Sequence, residues 1–268
     1  MTVQKEKKRR VKILYDPDAE SPRDAWENFG TMVCWHSKHN LGDMQPRENP
    51  HEYLTNLAIG VCPRLEDILE YWDNEGYHKL CDKYDDHAVA LVEIEKHRKE
   101  LVDAVLEEYF VILPLYLYDH SGITMSASPF HCPWDSGQVG YIYVSLEDAQ
   151  KNWLLHEDTS WNEQVSWFDD ERPTLREASR RNLLIEVEVY DQFLTGEVYG
   201  FVVEEKIERE SCTCPTCTCD DWETVDSCWG FFGSDIEKNG IAEHLNDTEL
   251  VEMAKNADVI YPDERHRY

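Results

Sequence analysis

Positive charge is scarce in this chain. Of its 268 residues, 26 are Lys or Arg and 55 are Asp or Glu, which leaves a formal charge of −29 at neutral pH. Lys and Arg supply the phosphate neutralisation behind general nucleic-acid binding, so direct nucleic-acid binding is not expected. Long apolar runs are also missing. No stretch approaches the ~20 apolar residues of a membrane span, and the opening MTVQKEKKRR lacks the apolar core of a signal peptide. These absences predict a cytosolic protein with no membrane partner. There is no internal repeat, no Pro/Gly/Ser linker long enough to require two domains, and no complete catalytic motif. The chain does contain enough bulky rings to build a core, with 12% aromatics including nine Trp and 14 Tyr. Its nine Cys, in a cytosolic setting, point to thiols or metal ligands rather than disulfides.

The few cations are unevenly placed. Lys5, Lys7, Lys8, Arg9, Arg10 and Lys12 crowd the first twelve residues against a single acid, Glu6, so the rest is more acidic still. Residues 1–12 therefore read as a flexible basic arm, either solvated or clamped onto an acidic face of a neighbouring subunit, which leaves a homo-oligomer open. Residues 13–268 read as one α+β domain. Self-repulsion of the acidic body costs stability, so solubility, cation binding or a basic partner must make it tolerable.

Apolar patterning places strands at Val11–Tyr15, Phe29–His36, Val111–Tyr118, Ile123–Ser126, Gly140–Ser145, Val198–Ile207 and Trp222–Phe232. Helical spacing appears at Arg64–Trp72 and along His87–Phe110, where Leu91, Ile94, Leu101, Val105 and Tyr109 form a stripe. A second long amphipathic helix is expected over Pro173–Leu194, with Leu175, Ala178, Ile185, Val189 and Phe193 facing the sheet and Gly196 ending it. Ser145 with Asp148 looks like an N-terminal cap for a helix from Leu146. Shorter helices are expected over Asp235–His244 and Asp247–Lys255. Strands interspersed with helices, without strict alternation, predict an α+β fold with a mostly antiparallel sheet flanked by two long helices.

Three constellations carry possible chemistry. In SCTCPTCTCD, Cys212, Cys214, Cys217 and Cys219 follow a C-x-C-x2-C-x-C pattern at the tip of a hairpin insertion, residues 208–221. Thiolates at this spacing suit structural zinc, with Cys228 as a substitute ligand; an oxidisable metal-free cluster is the alternative. Asp119, His120 and Ser121, followed by His131, Cys132, Trp134 and Asp135, bring an acid, a base and nucleophiles together, as a small hydrolase or thiol enzyme centred on Asp119, His120 and Cys132 requires. Turn capping explains the same residues without catalysis. His36, His39 and Asp43 offer a third set, for a metal or simply a polar loop. Separately, carboxylates on rigid helices can imitate duplex phosphates and fill a basic groove. Glu66, Asp67, Glu70, Asp73 and Glu75 form one such candidate face. Glu157, Asp158, Glu163, Asp169, Asp170 and Glu171 form another; a solvated acidic surface is the plainer explanation of both.

Several longer stretches are familiar: NFGTMVCWHSKHNLGD (28–43), LPLYLYDHSGITMSASPFHCPWDSGQVGYIYVS (113–145), EVEVYDQFLTGEVYGFVVEE (186–205) and DSCWGFFGSDIEKNG (226–240). They resemble a widespread family of uncharacterised tailed-phage and prophage proteins. His36, Asn40, Asp43, Asp119, His120, Cys132, Trp134 and Asp135 fall within the matching stretches, but the family supplies no catalytic roles to carry over. The resemblance implies a viral accessory protein in the host cytoplasm. Small acidic proteins of that setting block host defence nucleases, as anti-restriction DNA mimics do and as inhibitors of the Gabija complex do. The expectation is therefore a non-enzymatic inhibitor whose partner is a host defence complex with a basic DNA-binding surface. A zinc-stabilised structural or assembly protein is a further alternative.

Overall fold

A computed structural model describes residues 8–156, 173–207 and 222–262. The fold is α+β with antiparallel pairing, but the strands form two four-stranded sheets, where the sequence suggested one. The chain divides into two compact units: the described residues within Met1–Trp26, Gly122–Thr124 and Glu188–Tyr268, and those within Glu27–Ser121 and Met125–Val187.

The first unit holds β1 (Arg9–Tyr15), the short α1 (Pro22–Ala25), β6 (Val198–Lys206), β7 (Trp222–Phe232), α8 (Ile241–Leu245), α9 (Thr248–Lys255) and β8 (Val259–Ile260). Its sheet runs β7-β6-β1-β8, antiparallel except for the β1–β8 pair. All but the last two residues of β6 are buried, as expected of a central strand covered on both faces. Ile13, Phe201, Phe231, Ile241 and Leu250 anchor the core, each contributing about 1.5–3 kcal/mol through burial. Arg9, Arg10 and Lys12 belong to β1, so the basic segment enters the sheet by Arg9; the arm's residues 1–7 lie outside the described residues. Arg10 sits opposite Glu204 across the β1–β6 ladder, and both it and Lys12 bond that buried carboxylate, at 2.5 and 3.0 Å. Of the expected Asp235–His244 helix only the end forms, as a short helix over Ile241–Leu245. Gly240 takes φ +95°, outside the right-handed helical region, and Asp235 caps a turn instead by accepting the Glu237 N–H.

The second unit contains β2 (Thr31–Cys34), α2 (Pro50–Val61), α3 (Arg64–Tyr71), a π-helical turn (Trp72–Gly76), α4 (Tyr77–Tyr84), α5 (His87–Tyr109), β3 (Phe110–Asp119), β4 (Ile123–Ser126, its first two residues assigned to the first unit), β5 (Ser136–Ser145) and α6 (Leu146–His156). Its sheet order is β2-β5-β3-β4. Asn49 caps α2 by accepting the Glu52 N–H at 3.0 Å, with Pro50 in the first turn, and Asp86 caps α5. The α5 stripe differs from expectation. Ala90, Ile94, Val102 and Leu106 are buried, whereas Leu91 is 53% exposed and Tyr109 is exposed. The helix faces α2 and α3 through Val102 and Leu106, and meets α4 through Ala90 and Ile94. Ser145 accepts the Asp148 N–H at 3.0 Å and donates to its carboxylate at 2.6 Å, the reciprocal cap expected at the start of α6.

The second long helix, α7 (Leu175–Thr195), is assigned to the second unit through Val187 and to the first from Glu188. Its buried positions are Ala178, Ser179, Leu183, Val187 and Tyr190, while the expected Ile185 is 50% exposed. Gly196 follows it at φ +77°. The Cys-rich tip at 208–221 and the acidic segment 157–171 lie outside the described residues.

Candidate functional site

Two places in the second unit collect residues singled out by the sequence. At one end of its sheet, main-chain bonds from Trp35 N to Val139 O (2.7 Å) and Asp119 N to Asp135 O (2.8 Å) gather three segments. Gly140 permits this approach, because a Cβ there would lie 2.0 Å from Val33 O. Asp43 accepts the Met32 N–H at 2.7 Å, and so ties its loop to the backbone of β2. His36 Nδ1 accepts the His39 N–H at 3.1 Å, and the two rings stack with centroids 5.0 Å apart. Burial, reinforced by His39, holds His36 below the ordinary imidazole pKa, which favours its neutral form. Asn40 is exposed.

The predicted Asp119–His120–Cys132 set is divided between two carboxylates. Asp119 faces Lys38 Nζ at 3.6 Å and His39 Nε2 at 3.7 Å. Asp135 instead receives His120 Nδ1 at 3.4 Å and Cys132 Sγ at 3.8 Å. Thiol catalysis requires a sulfur bonded to its base, and here thiol and imidazole both turn to Asp135. Trp134, beside them, is 91% exposed. Among the described residues no group of three or more His, Cys, Asp or Glu side chains is arranged to hold a metal ion, His36, His39 and Asp43 included. Cys62, Cys81, Cys132 and Cys228 are free thiols, and Cys34 is buried.

The second place is the helical run from α3 through the π-turn. Glu66, Asp67, Glu70, Asp73 and Glu75 are all exposed, while Leu65 and Leu69 are buried beneath. With about 100° between successive helical residues, Glu66, Asp67 and Glu70 span one outer arc, as i,i+3 and i,i+4 neighbours. Asp73 is engaged by Arg98, whose guanidinium also reaches Leu69 O at 3.4 Å. No basic side chain pairs with Glu66, Asp67 or Glu70 among the described residues. Glu157, Asp158, Glu163, Asp169, Asp170 and Glu171, and the ligand set Cys212, Cys214, Cys217 and Cys219, lie outside the described residues.

Sequence reading missed a third cluster. Cys81 Sγ lies 3.3 Å and Tyr77 Oη 3.0 Å from His87 Nδ1, where α4 meets the start of α5. Its only advance signal was the Cys81–His87 separation across the Asp85–Asp86 break, and without α4 that spacing meant nothing. No family model, curated protein or solved structure matches the chain. Among the described residues no helix is long and apolar enough to cross a membrane.

Proposed function

We propose that this chain is a non-enzymatic accessory protein that binds the basic, DNA-handling surface of a host defence complex and blocks it. The observation that carries this reading is the outer arc of α3, where Glu66, Asp67 and Glu70 project into solvent from one rigid face, without internal counter-charges, on a chain of net charge −29. Carboxylates spaced along one face of a helix present a regular negative field, which speeds the encounter with a cationic cleft. The resemblance to tailed-phage proteins supplies the setting: a viral inhibitor in the host cytoplasm. The division of Asp119, His120 and Cys132 between two carboxylates supports binding over thiol or acyl chemistry.

The test is competition. The purified chain is mixed with bacterial lysate at low salt, retained proteins are released by a salt step, and the released DNA-binding complex is titrated with duplex DNA in the chain's presence. The chain is expected to displace DNA. The triple variant Glu66→Gln, Asp67→Asn, Glu70→Gln is expected to bind about tenfold more weakly, three exposed pairs at ~0.5 kcal/mol each. Salt-insensitive retention, or full affinity in the triple variant, overturns the reading.

A further inference from the structure

We propose that Cys81 is a site of thiol–disulfide exchange with small, amine-bearing disulfides, its proton taken by His87. Helix α4 holds Cys81 in its last turn, and α5 opens on His87. Between them Asp85 takes φ +49°, in the left-handed region, and ends α4 by donating its N–H to Cys81 O at 2.9 Å. The reversal sets His87 Nδ1 3.3 Å from Cys81 Sγ. Leu80, Ala90 and Ile94 form a buried cluster at this joint, with Trp72, Tyr77 and Cys81 packed against it, so core packing holds the Cys81 side chain in place. Cys81 is half-buried and His87 exposed, within reach of a small reagent.

The pair has the parts that thiol exchange needs. Neutral imidazole accepts the Sγ proton at Nδ1, the sulfur attacks one sulfur of the incoming disulfide, and that S–S bond breaks as the new one to Cys81 forms. The leaving thiolate takes the proton from His87, so the protein thiol is oxidised, the departing half of the reagent is reduced and no further oxidant is consumed. Tyr77, one turn before Cys81, places its hydroxyl 3.0 Å from the same Nδ1. Its hydrogen bond with Cys81 holds the phenol above its ordinary value, so Tyr77 keeps its proton and donates to the sulfur as negative charge develops there. Cys132 instead faces the Asp135 carboxylate at 3.8 Å and Cys228 the Trp229 carbonyl at 3.9 Å, both weaker bases than imidazole.

The surroundings set the charge of the reagent. Asp82, Asp85 and Asp86 are exposed beside the pair on a chain of net charge −29, while the nearby Lys79 and Lys83 are bonded to Tyr71 and Tyr84. A disulfide bearing ammonium groups is drawn into this field, and one bearing carboxylates is repelled. The site stands apart from the function proposed above, because none of its residues belongs to the outer arc of α3.

The reduced full chain is treated at neutral pH and low salt with cystamine or with dithiodipropionate, disulfides of similar size and opposite charge, and the mixed disulfide at each cysteine is followed by peptide mass spectrometry. Each rate is divided by that of the same reagent with a short cysteine peptide, which removes the reagent's own reactivity. Cys81 is expected to react with cystamine at least about tenfold faster than Cys132 does. Its normalised rate with cystamine should exceed that with dithiodipropionate about tenfold, a ratio that shrinks at about 150 mM salt. His87→Ala is expected to lower the Cys81 rate about tenfold and Tyr77→Phe about threefold, both leaving Cys132 unchanged. Cys34, buried in β2, reports any unfolding by becoming labelled, and the comparison of Cys81 with Cys132 needs no variant. A Cys81 rate no higher than that of Cys132, a rate unchanged by His87→Ala or by Tyr77→Phe, or equal normalised rates for the two reagents overturns the site.

Discussion

Glu204 shows how one side chain's role depends on where the fold places it. In the sequence it is one acid among 55, in the unremarkable run Val202-Val203-Glu204-Glu205. In the sheet its side chain is only 7% exposed and lies between Arg10 and Lys12. Burial alone would push its carboxyl up, but hydrogen bonds from Arg10 and Lys12 outweigh that and hold it below the usual 4.5. A carboxyl with a depressed folded-state pKa stabilises the fold above its unfolded-state value, and that contribution disappears as pH falls through the folded value. Glu204→Ala should therefore cost about 2 kcal/mol at pH 7, somewhat less than a fully buried pair because Arg10 reaches solvent. The penalty should shrink below pH 4.5. Urea unfolding of both proteins at pH 7 and pH 3 reads it, and an equal difference at the two values would refute the assignment. The Asp119–His120–Cys132 group carries the opposite lesson. Its residue types were legible, but which carboxylate each base and thiol faces was set by Asp119 and Asp135 meeting across neighbouring strands, which sequence separation does not reveal.

Elements were more legible than side-chain partners wherever a local signal acted alone. The Ser145–Asp148 cap is such a case, and Ser145→Ala should lower stability by about 1 kcal/mol with an unchanged denaturant slope, measured by urea unfolding; no loss would mean the cap is dispensable. The strands flanking Asp119–Gly122 likewise follow from apolar runs and turn residues, and β6 from a continuous apolar run. Helices α2 and α4 were missed because their stripes are weak: Ala58 is the buried residue of one and Leu80 of the other. The inward face of α5 was misjudged because Leu91 is more apolar than Ala90, yet the face that packs on α4 is the one carrying Ala90 and Ile94, about 100° round the helix from Leu91. Asp235–His244 failed as a helix through a single residue, Gly240, held in the left-handed region.

Across the whole molecule, charge dominates and salt should act in two opposite directions. Repulsion among excess carboxylates opposes compaction, so raising ionic strength from about 10 to 150 mM shortens the Debye length from ~30 to ~8 Å and should raise the thermal midpoint of the free protein. The same screening should weaken capture of the basic partner. Thermal melts at the two salt concentrations check the first effect; a midpoint that falls would show that attractive surface pairs outweigh the repulsion.

The sequence by itself determined the sign and size of the charge, the α+β class, the turn at Asp119–Gly122 and the cap at Ser145, because each depends on composition or on residues a few positions apart. It alone also carries the zinc expectation at Cys212, Cys214, Cys217 and Cys219. Tertiary structure decided that there are two sheets, that Arg10 and Lys12 meet Glu204, and that Asp16 and Trp26 share a cleft with Trp229 and Phe232, more than 200 positions along the chain. Contacts over such separations arise from how apolar faces are buried against one another, a property of the assembled core that no local pattern encodes.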